Sequence, residues 1–255
     1  MRKQFYKDRA AEINEFNKYF KAEVLTEEKL GTLPQVIQKH FKLCGFLGKP
    51  IAMNADVIWK DSFIRLKPNQ DWKPLHTLQF NSVNPIMRTT FMKVKKMFFT
   101  GKDCYKNGQG TMKGKILNLF TVVDVKGKEI SQSALITSFC EMMLLSGYAF
   151  QKYVEWKTID DRTVQGILTD QNFKVSGTFH FDEEGKFVCF ESYDRYFDKG
   201  NGDFEKKKFI AKINSYKTVD NHYQPEKVSV SWLLNDEEYK YYKGTIESIK
   251  YNMRH

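Results

Sequence analysis

Val175-Ser176-Gly177-Thr178-Phe179-His180-Phe181-Asp182-Glu183-Glu184-Gly185 carries the period that decides the fold. Val175, Gly177, Phe179 and Phe181 recur at every second position, with Ser176, Thr178 and His180 between them. Successive side chains of a strand point to opposite faces, so this spacing predicts a strand with one buried and one wet face. Asp182 to Gly185 reads as a turn, where acidic side chains bond local amides. Residues 187–196 return beyond it, which makes an antiparallel pair.

The same period extends in both directions. Upstream, Val154, Trp156 and Thr158 alternate with polar residues, and residues 162–169 follow across Asp160-Asp161. Downstream, a Gly/Asn loop over 198–203 precedes strands over 209–216, 226–234 and 239–251. Earlier still, 51–60, 62–67, 75–83, 89–98 and 102–106 read as strands, and 111–125 as a longer strand with room for a bend. Lys67-Pro68-Asn69, Asn84-Pro85 and Asn107-Gly108-Gln109-Gly110 are turn signals between them. No strand–helix–strand rhythm is present, which argues against a parallel α/β fold.

Three segments carry the helical period instead. Phe5, Ile13, Phe16, Phe20 and Val24 form a stripe in a segment rich in Lys and Glu, so residues 1–30 are expected as an amphipathic helical segment docked on the rest. Thr32-Leu33-Pro34-Gln35 resembles a capping box opening a second helix, with Val36, Ile37, Phe41 and Cys44 on its apolar face and Gly45 as its stop. The third helix interrupts the strands between Glu129 and Ser146. Leu135, Ile136, Phe139, Cys140, Met143 and Leu144 share one side, which should pack on sheet. Ala134, Thr137, Ser138 and Glu141 make the opposite, small or polar side.

Composition narrows the functional classes. The chain has 255 residues, 41% hydrophobic and 15% aromatic, enough to bury a core without a disulfide or metal staple. The formal net charge is +10. Lysine supplies most of it, with Arg only at positions 2, 9, 65, 88, 162, 195 and 254. Nucleic-acid readers favour Arg forks, so a lysine-rich solvated surface is the preferred account of this basic protein over nucleic-acid binding. Lys206 to Lys208 form one cluster, and Lys93, Lys95 and Lys96 a smaller one. Cys44, Cys104, Cys140 and Cys189 are too far apart for a CxxC motif and read as free thiols in a reducing compartment. Residues 4–15 are too polar for a signal peptide, and no run approaches the ~18 apolar residues of a membrane span. The expected location is cytoplasmic, with membrane anchoring as the alternative if an anchor precedes these residues.

Catalytic and cofactor signatures are missing. There is no GxxxxGK[ST], no GxGxxG after a strand and no GxSxG elbow. The five histidines form no HxH, HxxxH or HExxH pair, so no metal site and no cofactor is expected. The polar residues of most interest stand at the strand-to-helix junction: Asp124, Glu129, Gln132 and, further along, Glu141. Helix-dipole compensation accounts for Glu129. Asp124 and Glu141 are candidates to line a pocket beside the helix.

Leu33-Pro34-Gln-Val-Ile-Gln-Lys-His40 with Gly45 and Gly48, and Val122-Val-Asp124 through Gly127, Glu129, Ile130, Gln132 and Leu135 to Glu141, resemble an uncharacterised bacterial domain-of-unknown-function family. Trp156, Asp160-Asp-Arg162, Leu168-Thr-Asp170 and Phe179-His-Phe-Asp182-Glu-Glu-Gly185 extend the resemblance, which covers about residues 30 to 252. Members often carry an N-terminal hydrophobic anchor, which this sequence lacks. The layout is also similar, at the level of fold, to the half-open antiparallel barrels of outer-membrane lipoprotein carriers and receptors.

The expected fold is therefore mainly β (α+β): a curved antiparallel sheet or incomplete barrel over 31–255, with the internal helix in or across its mouth and the N-terminal helices outside. A curved sheet closed by a helix makes a concave apolar pocket. The leading functional expectation is a non-catalytic binding module for a lipophilic or amphipathic small molecule. Asp124, Glu141, Phe139, Met143 and Trp156 are its candidate ligand-binding residues, with Leu144 and Phe179 behind them. The alternatives are a hydrolase or isomerase using Asp124 and Glu141 as acid and base, and a protein that meets an anionic membrane surface through its lysines and first helix.

Overall fold

The computed structural model describes residues 1–94, 97–117 and 119–255. It opens with α1 (Arg2–Tyr19), α2 (Glu27–Leu30) and α3 (Gln35–Leu43). A meander follows: β1 (Asn54–Ile64), β2 (Lys73–Ser82), β3 (Met87–Val94), β4 (Phe99–Lys106), β5 (Gln109–Ile116) and β6 (Phe120–Lys126). Then comes α4 (Lys128–Cys140), trailed by two 3₁₀ turns, Met142–Leu144 and Ser146–Phe150. The last part holds β7 (Val154–Thr158), β8 (Thr163–Asp170), β9 (Phe173–Phe181), β10 (Phe187–Ser192), β11 (Tyr196–Gly200), β12 (Asp203–Lys206), β13 (Phe209–Val219), β14 (His222–Leu234) and β15 (Glu237–Tyr251).

Among the described residues, 13 strands join in one antiparallel sheet, ordered β6-β5-β4-β3-β2-β1-β15-β14-β13-β10-β9-β8-β7. The end strands β6 and β7 do not pair, so the curved sheet stays an open barrel. The alternation of 175–181 works as expected: Val175, Gly177, Phe179 and Phe181 are buried in β9, and Ser176, Thr178 and His180 face the more solvated side.

α4 lies in the concavity and spans the gap between the two halves of the sheet. At one side it meets β5, where Gly110 donates its amide to Ser131 Oγ at 2.9 Å. A Cβ at Gly110 would stand 2.7 Å from the Ile130 carbonyl oxygen, so only glycine permits this approach. At the other side Phe139 packs edge-on against Phe179 and Phe190, at centroid distances of 5.3 and 5.4 Å.

α1 covers the convex face. Phe5 and Ile13 are buried against Phe80 and Phe91. Arg9 makes a bidentate pair with Asp56 on β1, at 2.8 and 2.6 Å, while Asp8 and Glu12 take Lys102 and Lys106 of β4. α3 closes one end of the barrel, burying Val36, Ile37 and Phe41 in the main core.

Local details differ from the sequence expectations for physical reasons. The strands expected over 51–60 and 62–67 are one strand, β1, whose register with β15 slips on either side of Trp59. The stretch 111–125 divides into β5 and β6; residue 118, between them in sequence, lies outside the described residues, as do Lys95 and Lys96 of the smaller lysine group. Thr32 does not cap α3: its hydroxyl donates to the Lys29 carbonyl, and Thr26 caps the short α2 instead. Gly45 ends the α3 region as expected, with φ +74°. The third helix stops at Cys140 rather than running on to Ser146. The next segment turns to meet the sheet: Ser146 Oγ accepts the Ala52 amide and the Gly147 amide donates to the Ala52 carbonyl. The stretch 187–196 is also split, because after Ser192 the chain leaves the sheet to form the β11–β12 hairpin, whose tip is the Gly/Asn loop.

Candidate functional site

A cavity of about 560 Å³ opens between the concave face, α4 and the β11–β12 hairpin. Its two walls differ in chemistry because the pleat sends alternate residues inward. Thr77, Gln79, Arg88, Thr90 and Asp103 of β2, β3 and β4 form a polar wall. Ala211, Ile213, Val228, Val230, Trp232 and Tyr241 of β13, β14 and β15 form an apolar, aromatic one. Phe197 and Phe204 of the hairpin cover the space, and Phe197 packs edge-on to Trp232 at 5.4 Å. The hairpin is tied to α4: the Tyr196 amide donates to Ser133 Oγ and Gln132 Nε2 donates to the Asp194 carbonyl.

α4 presents Ser133, Ala134 and Thr137 of its small and polar side to the cavity, together with Cys140, which the helical stripe puts on the apolar side; Glu141 and Leu144 line it just beyond the helix end. The large residues of the other side fill the core, and the small ones leave the space.

Glu141 is the centre of the polar wall. It accepts from Arg88 Nε at 3.0 Å, Gln79 Nε2 at 2.9 Å and Asn81 Nδ2 at 2.7 Å. Its side chain and that of Arg88 are only 15% and 14% exposed. Burial opposes the charge on Arg88, but the Glu141 charge and hydrogen bond outweigh it and hold the guanidinium pKa above its ordinary value. Asp103 sits on the next strand, and burial pushes its carboxyl pKa up against the lowering pull of Arg88, Arg195 and Lys102.

Arg195 enters from the segment joining β10 to β11. Its guanidinium carbon lies 4.4 Å from the Phe209 ring centroid and 4.7 Å from that of Trp232. Nη1 donates to the Tyr241 hydroxyl at 2.9 Å. Arg195 Nε, Thr90 Oγ1 and Asp103 Oδ1 are buried without a hydrogen-bond partner, and all three residues line this one cavity.

The structure brings one of the five sequence candidates to the cavity. Glu141 lines it, as does Leu144. Asp124 is exposed on the outer face of β6, 3.5 Å from Lys113, because Val123 and Val125 on either side of it point inward. Asp124 and Glu141 therefore do not assemble an acid/base pair. Phe139 and Met143 are buried core residues, and Phe179 lies with them. Trp156 packs on Phe179 and donates its indole N–H to the Ala149 carbonyl. Arg88, Asp103 and Arg195 were not singled out by the sequence. The available signal was that Arg88 shares its strand face with Thr90 and Met92, a polar residue in phase with inward ones.

Among solved structures, a domain named for outer-membrane lipoprotein sorting from Vibrio parahaemolyticus is similar at 10% identity and TM-score 0.45, covering 78% of this chain and 85% of that one. A LolA superfamily protein from Nitrosomonas europaea is similar at 9% identity and TM-score 0.46, covering 86% and 92%. A DUF1329 family protein from Desulfovibrio piger is similar at 6% identity and TM-score 0.44, covering 79% and 86%. No curated protein matches the chain. The family model that does match spans residues 23–244, from the extended segment before α2 into β15, and the chain belongs to that family of unknown function, DUF6544.

Proposed function

We propose that this chain is a non-catalytic binding module whose concave cavity holds a lipophilic or amphipathic molecule. The observation that carries the proposal is the cavity itself: about 560 Å³, walled on one side by aliphatic and aromatic residues and on the other by a buried polar cluster. That volume and that mixture of an apolar lining with a few placed polar groups are usual for small-molecule sites. Native mass spectrometry of the purified protein should show extra mass that disappears on denaturation. A fluorescent amphiphile such as anilinonaphthalene sulfonate should bind saturably. Thr137→Phe projects a ring from α4 into the cavity and should weaken that binding at least about tenfold, with an unchanged melting temperature. Equal binding by Thr137→Phe would place the probe elsewhere and sink the proposal.

A specific surface supports contact with an anionic membrane as a second reading. Phe98, Leu119 and Phe120 are 71%, 73% and 64% exposed at the β3–β4 and β5–β6 turns. The two turns are joined by the Leu117 amide donating to the Phe98 carbonyl at 2.9 Å. Lys73, Lys93 and Lys115 stand on the neighbouring strands. An apolar edge set among lysines suits an anionic lipid surface. The first helix does not offer this contact, since Phe5, Ile13 and Phe16 are buried. Combining Phe98→Ser, Leu119→Ser and Phe120→Ser should abolish co-sedimentation with phosphatidylglycerol vesicles while anilinonaphthalene sulfonate binding persists. Undiminished vesicle binding would discard this surface.

A further inference from the structure

Arg195 is a half-buried cation that lines the cavity without an ion-pair partner, and its Nε is buried. Arg88 is matched by Glu141 at 3.0 Å, but no carboxylate oxygen lies within ion-pair distance of Arg195 among the described residues. Its guanidinium is instead wedged among Phe209, Trp232 and Tyr241, which fixes its plane. Tyr241 occupies Nη1, and Nε is buried with no acceptor. Buried N–H groups are almost always bonded, so an unfilled donor at the wall of a cavity marks where a ligand atom belongs.

Nε and Nη2 form the edge of this guanidinium away from the Tyr241 bond, and Nε on that edge has no hydrogen-bond partner. Two parallel N–H bonds from that edge match the two oxygens of one carboxylate. We propose that the ligand is a lipophilic carboxylic acid whose carboxylate docks side-on at Nε and Nη2 of Arg195. Its hydrocarbon part then lies along Val228, Val230 and Ile213. Thr90 Oγ1 is buried and unbonded in the same cavity and supplies a further donor. Asp103 lines the same cavity, and burial raises its carboxyl pKa against the pull of Arg88, Arg195 and Lys102, which lessens its repulsion of a bound carboxylate. The inference rests on the cavity-binding reading and adds the head group to it.

The test is calorimetric titration of the full chain with dodecanoic acid, dodecan-1-ol and dodecyl phosphate. The three share a chain and differ in the head. The acid should bind at least about tenfold tighter than the alcohol, the usual margin for a desolvated charge-assisted pair. Arg195→Gln should erase that preference while leaving alcohol binding in place, and Arg195→Lys, which keeps charge without the fork, should keep only part of it. The wild-type acid-to-alcohol ratio stands even if Arg195→Gln folds poorly. Equal binding of acid and alcohol overturns the head-group assignment and leaves the cavity reading intact. Tighter binding of the phosphate than of the acid replaces the carboxylate with a tetrahedral oxyanion and overturns it too. Failure of all three to bind removes both readings.

Discussion

Replacing Arg88 by methionine is expected to cost about 3–5 kcal/mol of folding stability, the range for breaking a buried ion pair from one side. The loss comes chiefly from what is left behind. Glu141 keeps Gln79 and Asn81 as neutral donors, at 2.9 and 2.7 Å, but has no cation to offset its burial. Adding Glu141→Gln to Arg88→Met removes the stranded charge and keeps an acceptor for both amides, because Gln79 and Asn81 donate to the same oxygen, Oε2. That double variant should recover at least half of the loss, although the new amide N–H group, standing where Oε1 accepted from Arg88, still costs about 1–3 kcal/mol if left unbonded. Urea unfolding of wild type and of both variants at neutral pH measures the difference. A cost below about 1 kcal/mol for Arg88→Met would be the value of an exposed pair, and would show that water reaches Glu141.

The second large effect is on acid stability. His40 is buried in α3, where Nδ1 lies 3.2 Å from both the Gly185 carbonyl oxygen and the Phe187 amide, serving one or the other according to tautomer. Burial lowers its pKa from 6.5 to about 4. The folded state therefore keeps the ring neutral at pH values where the unfolded chain already binds a proton. Stability contributed this way is complete above pH 6.5, declines as pH falls, and is gone by pH 4. At 1.36 kcal/mol per unit the total is about 3 kcal/mol. His40→Gln should be less stable than wild type at pH 7 yet lose less between pH 6.5 and pH 4. The difference between the two unfolding curves isolates His40 from the carboxylates that titrate in the same range. Parallel curves would mean that the ring is protonated in the fold.

The elements were legible where one local period sufficed. Alternation through Val175, Gly177, Phe179 and Phe181 gave β9, and the stripe through Leu135, Ile136 and Phe139 gave both α4 and the side that packs on sheet. The cavity was not legible from the same stripe. Bulky apolar side chains on and just after an amphipathic helix are drawn into the core, as Phe139 and Met143 are, so the cavity opens beside Ala134 and Thr137. The polar cluster was hidden for a different reason. Asp103 belongs to one half of the chain and Arg195 to the other, and only sheet curvature brings them to one cavity. Asp124 was misleading because it follows an apolar run. Strand parity decides its direction, and it points outward next to two inward valines. The β11–β12 hairpin was read as strand and loop within the main sheet because nothing local to Phe197 shows that the chain has left β10.

The strands at the middle of the sheet come from opposite ends of the described fold. β1 pairs with β15, Ala55 opposite Tyr251 and Ile64 opposite Tyr242, so the seam joining the two meanders is also the pairing with the greatest sequence separation. The β1–β6 meander can form from near neighbours, each strand folding onto the last, and α1 can settle on its outer surface. Along its other edge β1 then waits with amides and carbonyls unpaired until β15 has been synthesised. A row of open backbone groups is a template for any passing strand. The line along which the finished molecule is most continuous is thus the one most open to mispairing during synthesis, and a pairing of such sequence separation is of the kind that slows folding.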